Sequence, residues 1–545
     1  MENNSDIISS KILKTKVSDF WFTVSTIIFC FATFYIAFQT VFEVGIWGTI
    51  TLSAYIIIAK IFFDTKKIKK NMLIRNISFV CLLLSVLSFS LNSAFIFYKY
   101  VICIVLFMIF ASTYSENSPD STNGYMQIFK TIQISISGLF SNLKDAFKSF
   151  IPKENGNKSN KTKKLKEVAI GIAVALPLCV IAIVLLVLSD DAFSSLLNKL
   201  LLNVELSFNF ASVVPSLLMS AILFPFVASF SFSIKNSKNK NKDKNLKNKM
   251  QKVAPTVVKT IMVLLLAIYF VYLFSQLAYF FSAFKNILPE NYRFTYSEYA
   301  RKGFFETTVL AILNLSVMAF SLIFTTRNGK KVDKTVKILS CIMCGFTALF
   351  VVTSISKIAM YVNRYGLTER RFAAAVFDLM LILCIVLFVV HLFAPKVPYA
   401  KILIVSCMLV VSLIFFISPA KIIAIYNTEQ YLNDNIKTID IDHLDSLGAD
   451  AVVQLEKLAL KPKKPNDLIS YQYQADARRK LANTFYGKEY VYYNSDENDG
   501  EKFKYDSHGT FNLSKYKAVK VFQRNEEMIE EISADLNETE VSLYY

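Results

Sequence analysis

The chain predicts an all-α polytopic membrane protein of about 11 transmembrane helices, N-terminus inside, with a small, mostly helical C-terminal extracytoplasmic domain. Three observations predict it. Apolar stretches long enough to cross a bilayer recur through residues 1–418, strongly basic segments separate them on alternating sides only, and residues 419–545 change to a soluble pattern. A hydrophobic fraction of 54%, with 48 Phe and only 14 Gly in 545 residues, is hard to reconcile with a water-soluble enzyme of this length.

A hydrocarbon core of roughly 30 Å takes about 20 apolar helical residues. The runs that meet this are Phe20–Phe38, Val44–Phe63, Leu73–Ser90, Phe95–Ser112, Val168–Ser189, Ala211–Ser233, Thr256–Phe281, Gly303–Phe324, Ile338–Ala359, Ala373–Phe393 and Ile402–Ser418. They are unbroken, which means helices; the strands of a barrel would alternate polar and apolar. Lys11, Lys14 and Lys16 precede the first run as in a signal peptide. Thr40–Gly45 offers no small-x-small cleavage site and a second run follows at once, so the first helix is expected to stay.

Orientation follows from Lys and Arg. The loops at 1–19, 60–76, 113–167, 234–255, 325–337 and 394–401 hold 33 basic residues, against 8 in the loops at 39–43, 91–94, 190–210, 282–302 and 360–372. The first set is therefore expected in the cytoplasm. The net charge of +18 is loop charge: residues 420–545 carry 16 basic and 22 acidic groups. Its natural partners are the bilayer and its anionic headgroups at the inner face, and nucleic acid is excluded.

The inner loop after the fourth run is patterned. Tyr125, Ile128, Phe129, Ile132, Ile136, Leu139, Phe140, Leu143, Phe147 and Phe150 recur at helical steps, giving an amphipathic helix over 125–151. It lies in the interface or packs on the protein's own cytoplasmic face. Pro152–Lys166 and Ile234–Lys252 are Lys/Asn-rich and poor in apolar residues, the second serving as a topology anchor. In the tail, Ala420–Asn433, Asp442–Leu460 and Asp467–Tyr486 read as helices, the first continuing out of the membrane. Glu489–Tyr493 and Tyr516–Phe522 read as short strands or extended segments.

All eight cysteines fall in the apolar runs, so the tail can hold no disulfide framework. Cys341-x-x-Cys344 has redox or zinc spacing but no His or Asp nearby; small residues packing between helices explain it. No metal or cofactor is expected.

Ionisable groups inside spans are costly and face a protein interior or a wet cavity. Glu306, Lys357 and Asp378 place one charge each on three consecutive runs, near the outer side. Asn314 follows Glu306 by eight residues on the same face, about 12 Å deeper. Tyr299, Arg301, Arg364, Tyr365 and Arg371 stand beside them in the adjoining outer loops. Two readings stay open: ion pairs that lock three helices together, or a pocket in which the arginines receive a phosphate or carboxylate.

Tyr296-Ser-Glu-Tyr-Ala-Arg-Lys-Gly-Phe-Phe-Glu306 with Asn314-Leu315, then Lys357 followed by Tyr361-x-x-x-Tyr365-Gly366-Leu367-Thr368-x-x-Arg371, resemble two signatures of an uncharacterised bacterial integral membrane family, the domain-of-unknown-function 4173 family. The tail's Leu444-Asp-Ser-Leu-Gly-Ala-Asp450-Ala451 is similar to a segment beyond that family's last span. The resemblance implies a membrane location and no established activity. No nucleophile elbow, Walker loop, kinase core or His-x-x-x-x-Asp motif is present. The leading expectation is a non-enzymatic envelope component that binds an envelope protein or lipid-linked ligand through the outer polar pocket and tail. The alternatives are a permease-like transporter and an enzyme acting on lipid-linked substrate.

Overall fold

The computed structural model describes residues 2–39, 45–65, 71–115, 124–143, 210–237, 253–284, 296–326, 333–394, 397–460, 462–463, 467–486, 491–493, 503–505 and 511–532. The expected span at Val168–Ser189, the end of the amphipathic helix and both Lys/Asn-rich runs lie outside them, apart from Ile234–Ser237. The chain forms two compact units.

The first unit holds α1 (Glu2–Gln39), α2 (Gly45–Asp64), α3 (Met72–Leu91), α4 (Ile96–Ser112), most of α5 (Gly124–Ser141), α6 (Phe210–Lys235) and a short piece of the tail around Phe511. Paired polar groups fix which helix ends lie together. Lys235 at the end of α6 bonds Asp19, Tyr114 Oη donates to Asp64 at 2.8 Å, and Arg75 lies over the Tyr114 ring at 4.6 Å. The start of the α1 span, the end of α2, the start of α3 and the ends of α4 and α6 therefore share one end. At the other, Ile46 N–H donates to Phe511 O at 3.0 Å and Asn512 Nδ2 to Phe89 O at 3.0 Å.

α6 packs along α1, and its Ala228, Ser229 and Ser231 are buried and small, as close helix packing requires. α5 presents Gly138 to α6, where Ser229 Oγ donates to Gly138 O at 3.0 Å. A Cβ on Gly138 would meet the Phe230 ring at 2.9 Å. Ile132, Ile136 and Phe140 stay exposed at one-turn steps, Phe140 with its ring edge to face on Phe226 of α6 at 5.6 Å. The helix thus packs on its own protein and leaves apolar side chains exposed.

The second unit begins with α7 (Pro255–Phe284), α8 (Tyr296–Phe324), α9 (Lys334–Tyr365), α10 (Glu369–Phe393) and α11 (Tyr399–Ile417). α9 is central, packed by α7, α8 and α10. Its buried Ser340, Thr347 and Ser354 recur every seven residues and alternate with Met343, Phe350 and Val351, which join Met262, Met318, Leu381 and Phe388 in one core. Val253 and Thr325 pair through their backbones, and Lys259 Nζ lies 3.0 Å from Asp333. Asp333 caps α9 by accepting from Thr335 and Val336 N–H. The Lys259 hydrogen bond holds the Asp333 carboxyl below the usual carboxylate range. The start of α7, the end of α8 and the start of α9 therefore share one end.

Among the described residues seven helices are long and apolar enough to cross a membrane, and α4, at 17 residues, is an apolar helix just short of that length. Much of their apolar surface faces outward: only 17% of the α11 span is buried, as a lipid-facing helix requires.

The tail departs from expectation in three places. α12 (Pro419–Leu432) is a new helix, because Ser418 at φ 81 breaks the chain from α11 and Pro419 opens the next helix at N1. The expected helix over Asp442–Leu460 divides into α13 (Ile441–Ser446), a 3-10 turn at Gly448–Asp450 and α14 (Val452–Leu460), because Gly448 takes φ +70. α15 (Leu468–Tyr486) follows, then β1 (Val491–Tyr493) paired antiparallel with β2 (Phe503–Tyr505). The run Tyr516–Phe522 is helical, within α16 (Leu513–Arg524). Lys515, Ala518, Val519, Val521 and Phe522 are its buried positions, and the three- and four-residue steps among Lys515, Ala518, Val519 and Phe522 outweigh its β-branched content.

Candidate functional site

The best-defined polar arrangement of the second unit is the turn from α9 to α10. α9 stops at Gly366, whose φ of +76 only glycine adopts without strain. A helix C-terminus leaves carbonyls without donors. Arg371, in the first turn of α10, folds back to supply them: Nη1 donates to Tyr365 O at 3.2 Å and also to Gly366 O. The guanidinium lies 3.8 Å from the Tyr361 ring centroid, and Tyr361 meets Tyr365 edge to face at 5.3 Å.

α12 closes the turn from the tail side. Asn427 Oδ1 accepts from Leu367 N–H at 2.6 Å and its Nδ2 donates to Leu367 O at 2.8 Å. One amide therefore satisfies both backbone groups of one residue, as a neighbouring strand would. The approach needs glycine at 366, where a Cβ would stand 2.8 Å from Asn427 Oδ1. At the start of α10, Glu369 lies 3.8 Å from His443 Nε2 of α13.

Deeper in the bundle, Asn314 is fully buried and joins three helices. It accepts from Tyr269 Oη of α7 at 2.5 Å and donates to Thr347 Oγ1 of α9 at 3.0 Å. Asp378 is also fully buried in α10, yet neither of its oxygens completes a hydrogen bond. Ser354 Oγ of α9 is the donor that faces it without closing the bond. Lys357, 4% exposed, follows Ser354 by one turn.

The expected site residues thus separate. Tyr365 and Arg371 meet at the turn, and Arg364 stands exposed in the last turn of α9. Lys357 and Asp378 sit inside the bundle with Ser354, and Asn314 belongs to its own bridge. Tyr299, Arg301 and Glu306 lie in α8, and their side chains fall outside the described residues. Among the described residues no group of three metal-ligating side chains occurs, and Cys344 is buried with Sγ 3.4 Å from Met318 Sδ. Sequence reasoning missed Asn427, Tyr269 and Thr347. A lone Asn in a tail helix, 60 residues from its partner, carries no local signal.

An almost wholly helical chain with several spans of this length and a cap-and-clamp turn between two of them defines a polytopic helical protein. Residues 78–458 match the family described as domain of unknown function DUF4153, and the chain belongs to that family. The signature residues resembled the related 4173 family; the family matched is equally without an assigned activity. Searches of curated proteins and of solved structures find no match.

Proposed function

We propose that the protein is a non-enzymatic, multi-pass component of a bacterial cell membrane that carries its tail on the extracytoplasmic side and binds an envelope ligand or partner with it. The observation that supports this reading best is the Asn427 clamp on Leu367. It fixes the first tail helix to the turn between two apolar helices, so a ligand held by the tail acts on the membrane helices directly. Binding is favoured over catalysis because Arg371 and Asn314 already direct their hydrogen bonds at the protein's own groups. A group so engaged is poorly placed to serve substrate. The test is Asn427→Ala in the purified protein, screened for thermal shift against envelope lipids and cell-wall fragments. Wild type should be stabilised by at least one of them, and the variant should lose that shift while its tail becomes more sensitive to limited proteolysis. No shift with any component would sink the reading.

A second reading, a transporter coupled to a proton or cation, is favoured by Asp378, a fully buried carboxyl without a hydrogen bond inside an apolar helix. It predicts uptake in proteoliposomes that Asp378→Asn abolishes. Uptake untouched by that change would remove Asp378 from any path.

A further inference from the structure

The exposed arc of α5 divides into two parallel stripes. Ile132, Ile136 and Phe140 are exposed along one. Gln133, Ser137 and Ser141, each one residue further on, are exposed along the other. Four-residue steps keep each stripe nearly in line, and a single residue turns the helix by about 100°. The opposite side is occupied: Ser135 and Gly138 are buried, and Gly138 O accepts from Ser229 Oγ of α6 at 3.0 Å. Water alone does not favour the apolar stripe, and hydrocarbon alone does not favour the polar one. A helix that shows both side by side fits the boundary between the two media.

Contacts with α6 set the depth of α5. Asn142 N–H donates to Ser229 Oγ at 3.0 Å, and the Phe140 ring meets Phe226 at 5.6 Å. Lys235, paired with Asp19, ends α6. At 1.5 Å per residue, Ser229 lies about 9 Å and Phe226 about 14 Å before it along the helix. Half of a hydrocarbon core is about 15 Å. The last turn of α5 therefore meets α6 within one leaflet, on the side of the Lys-rich loops. Met219, Ile222 and Leu223 of α6 are exposed one and two turns before Phe226. The outward apolar face of α6 thus continues through Phe226 and Phe140 onto Ile136 and Ile132. That continuity names what covers the stripe, because the outward face of a spanning helix meets acyl chains.

We propose that α5 is an interfacial helix seated in that leaflet, with Ile132, Ile136 and Phe140 against the acyl chains and Gln133, Ser137 and Ser141 toward the headgroups. The inference goes beyond the reading of the tail and does not depend on it. Binding of this kind varies with lipid composition and curvature, and the Gly138–Ser229 contact ties that response to a spanning helix.

The experiment places an indole on either stripe of the full chain in phosphatidylcholine nanodiscs, as Ile136→Trp or Ser137→Trp. The two native tryptophans are removed as Trp21→Phe and Trp47→Phe. Bromine on the acyl chains quenches an indole that touches them, and iodide quenches one that meets water. The indole at 136 should be quenched severalfold more by acyl bromine than the one at 137, and iodide should rank them in reverse. Equal quenching at both positions, or iodide acting more strongly at 136, overturns the proposal. An indole at 136 shielded from both quenchers also overturns it and shows that protein covers the stripe. An unchanged melting curve verifies each variant; if Ile136→Trp melts early, Ile132→Trp reads the same stripe.

Discussion

Gly366 shows how much of the site one residue decides. Its positive φ ends α9, and its missing side chain lets Asn427 reach Leu367. A Gly366→Ala change meets both constraints at once: a left-handed conformation costing about 1–2 kcal/mol, and a Cβ 2.8 Å from the Asn427 oxygen. Asn427 must retreat, leaving the Leu367 backbone unsatisfied at about 1–3 kcal/mol more. The expected outcome is a melting temperature lowered by several degrees in detergent, with the tail more sensitive to protease. A variant as stable as wild type would mean that the turn relaxes without the clamp. Arg371 belongs to the same unit, since its guanidinium is held between carbonyls and the Tyr361 ring.

At the scale of elements, one device recurs: a cation early in a helix satisfies the C-terminus of the helix before it. Arg371 of α10 does so for α9, and Lys99 of α4, 1% exposed, donates to Ser88 O at 3.2 Å and Asn92 O at 2.7 Å at the end of α3. The favourable end of the helix dipole adds to both. α16 shows the opposite situation, a cation whose burial is costly. Burial pushes the Lys515 ammonium down to about 8, so between pH 8 and its ordinary value near 10.5 the unfolded tail binds more protons than the folded one. Stability should therefore rise with pH across that window and level off above it. Thermal melts of wild type should show this rise and those of Lys515→Met should lose it; a flat wild-type profile would contradict the assignment. These elements also show what the sequence made legible. Apolar runs located the described helices of the membrane region to within a few residues, except where α1, α8 and α9 extend well past their runs, because a helix continues into polar residues that length and hydropathy do not count. The Tyr, Gly and Arg spacing of the α9–α10 turn stood out as well, but a cap and a ligand site use the same residue types, and only geometry separates them. α16 was misread because Val519, Val521 and Tyr516 favour strands locally, while the buried positions follow a helical period.

Across the whole molecule, each unit contributes its own argument about sides. In the first, the ends joined by Asp19, Asp64, Arg75, Tyr114 and Lys235 border the Lys-rich loops, whereas Phe511 and Asn512 of the tail touch the opposite end. In the second, Val253, Thr325 and Asp333 mark the end bordered by the basic loops, and the Asn427 clamp lies at the other end of α9. Both place tail residues away from the basic loops without any assumption about how the units sit together. Basic loops stay in the cytoplasm because their transfer across the membrane is disfavoured, so the tail should lie outside. A single cysteine at exposed Ser446→Cys should react with a membrane-impermeant maleimide on intact cells, whereas Asn245→Cys, within the basic loop, should react only after permeabilisation. The native cysteines set the background, since all eight fall within apolar runs. Labelling of Asn245→Cys but not Ser446→Cys on intact cells would put the tail in the cytoplasm, and envelope binding through it would be ruled out.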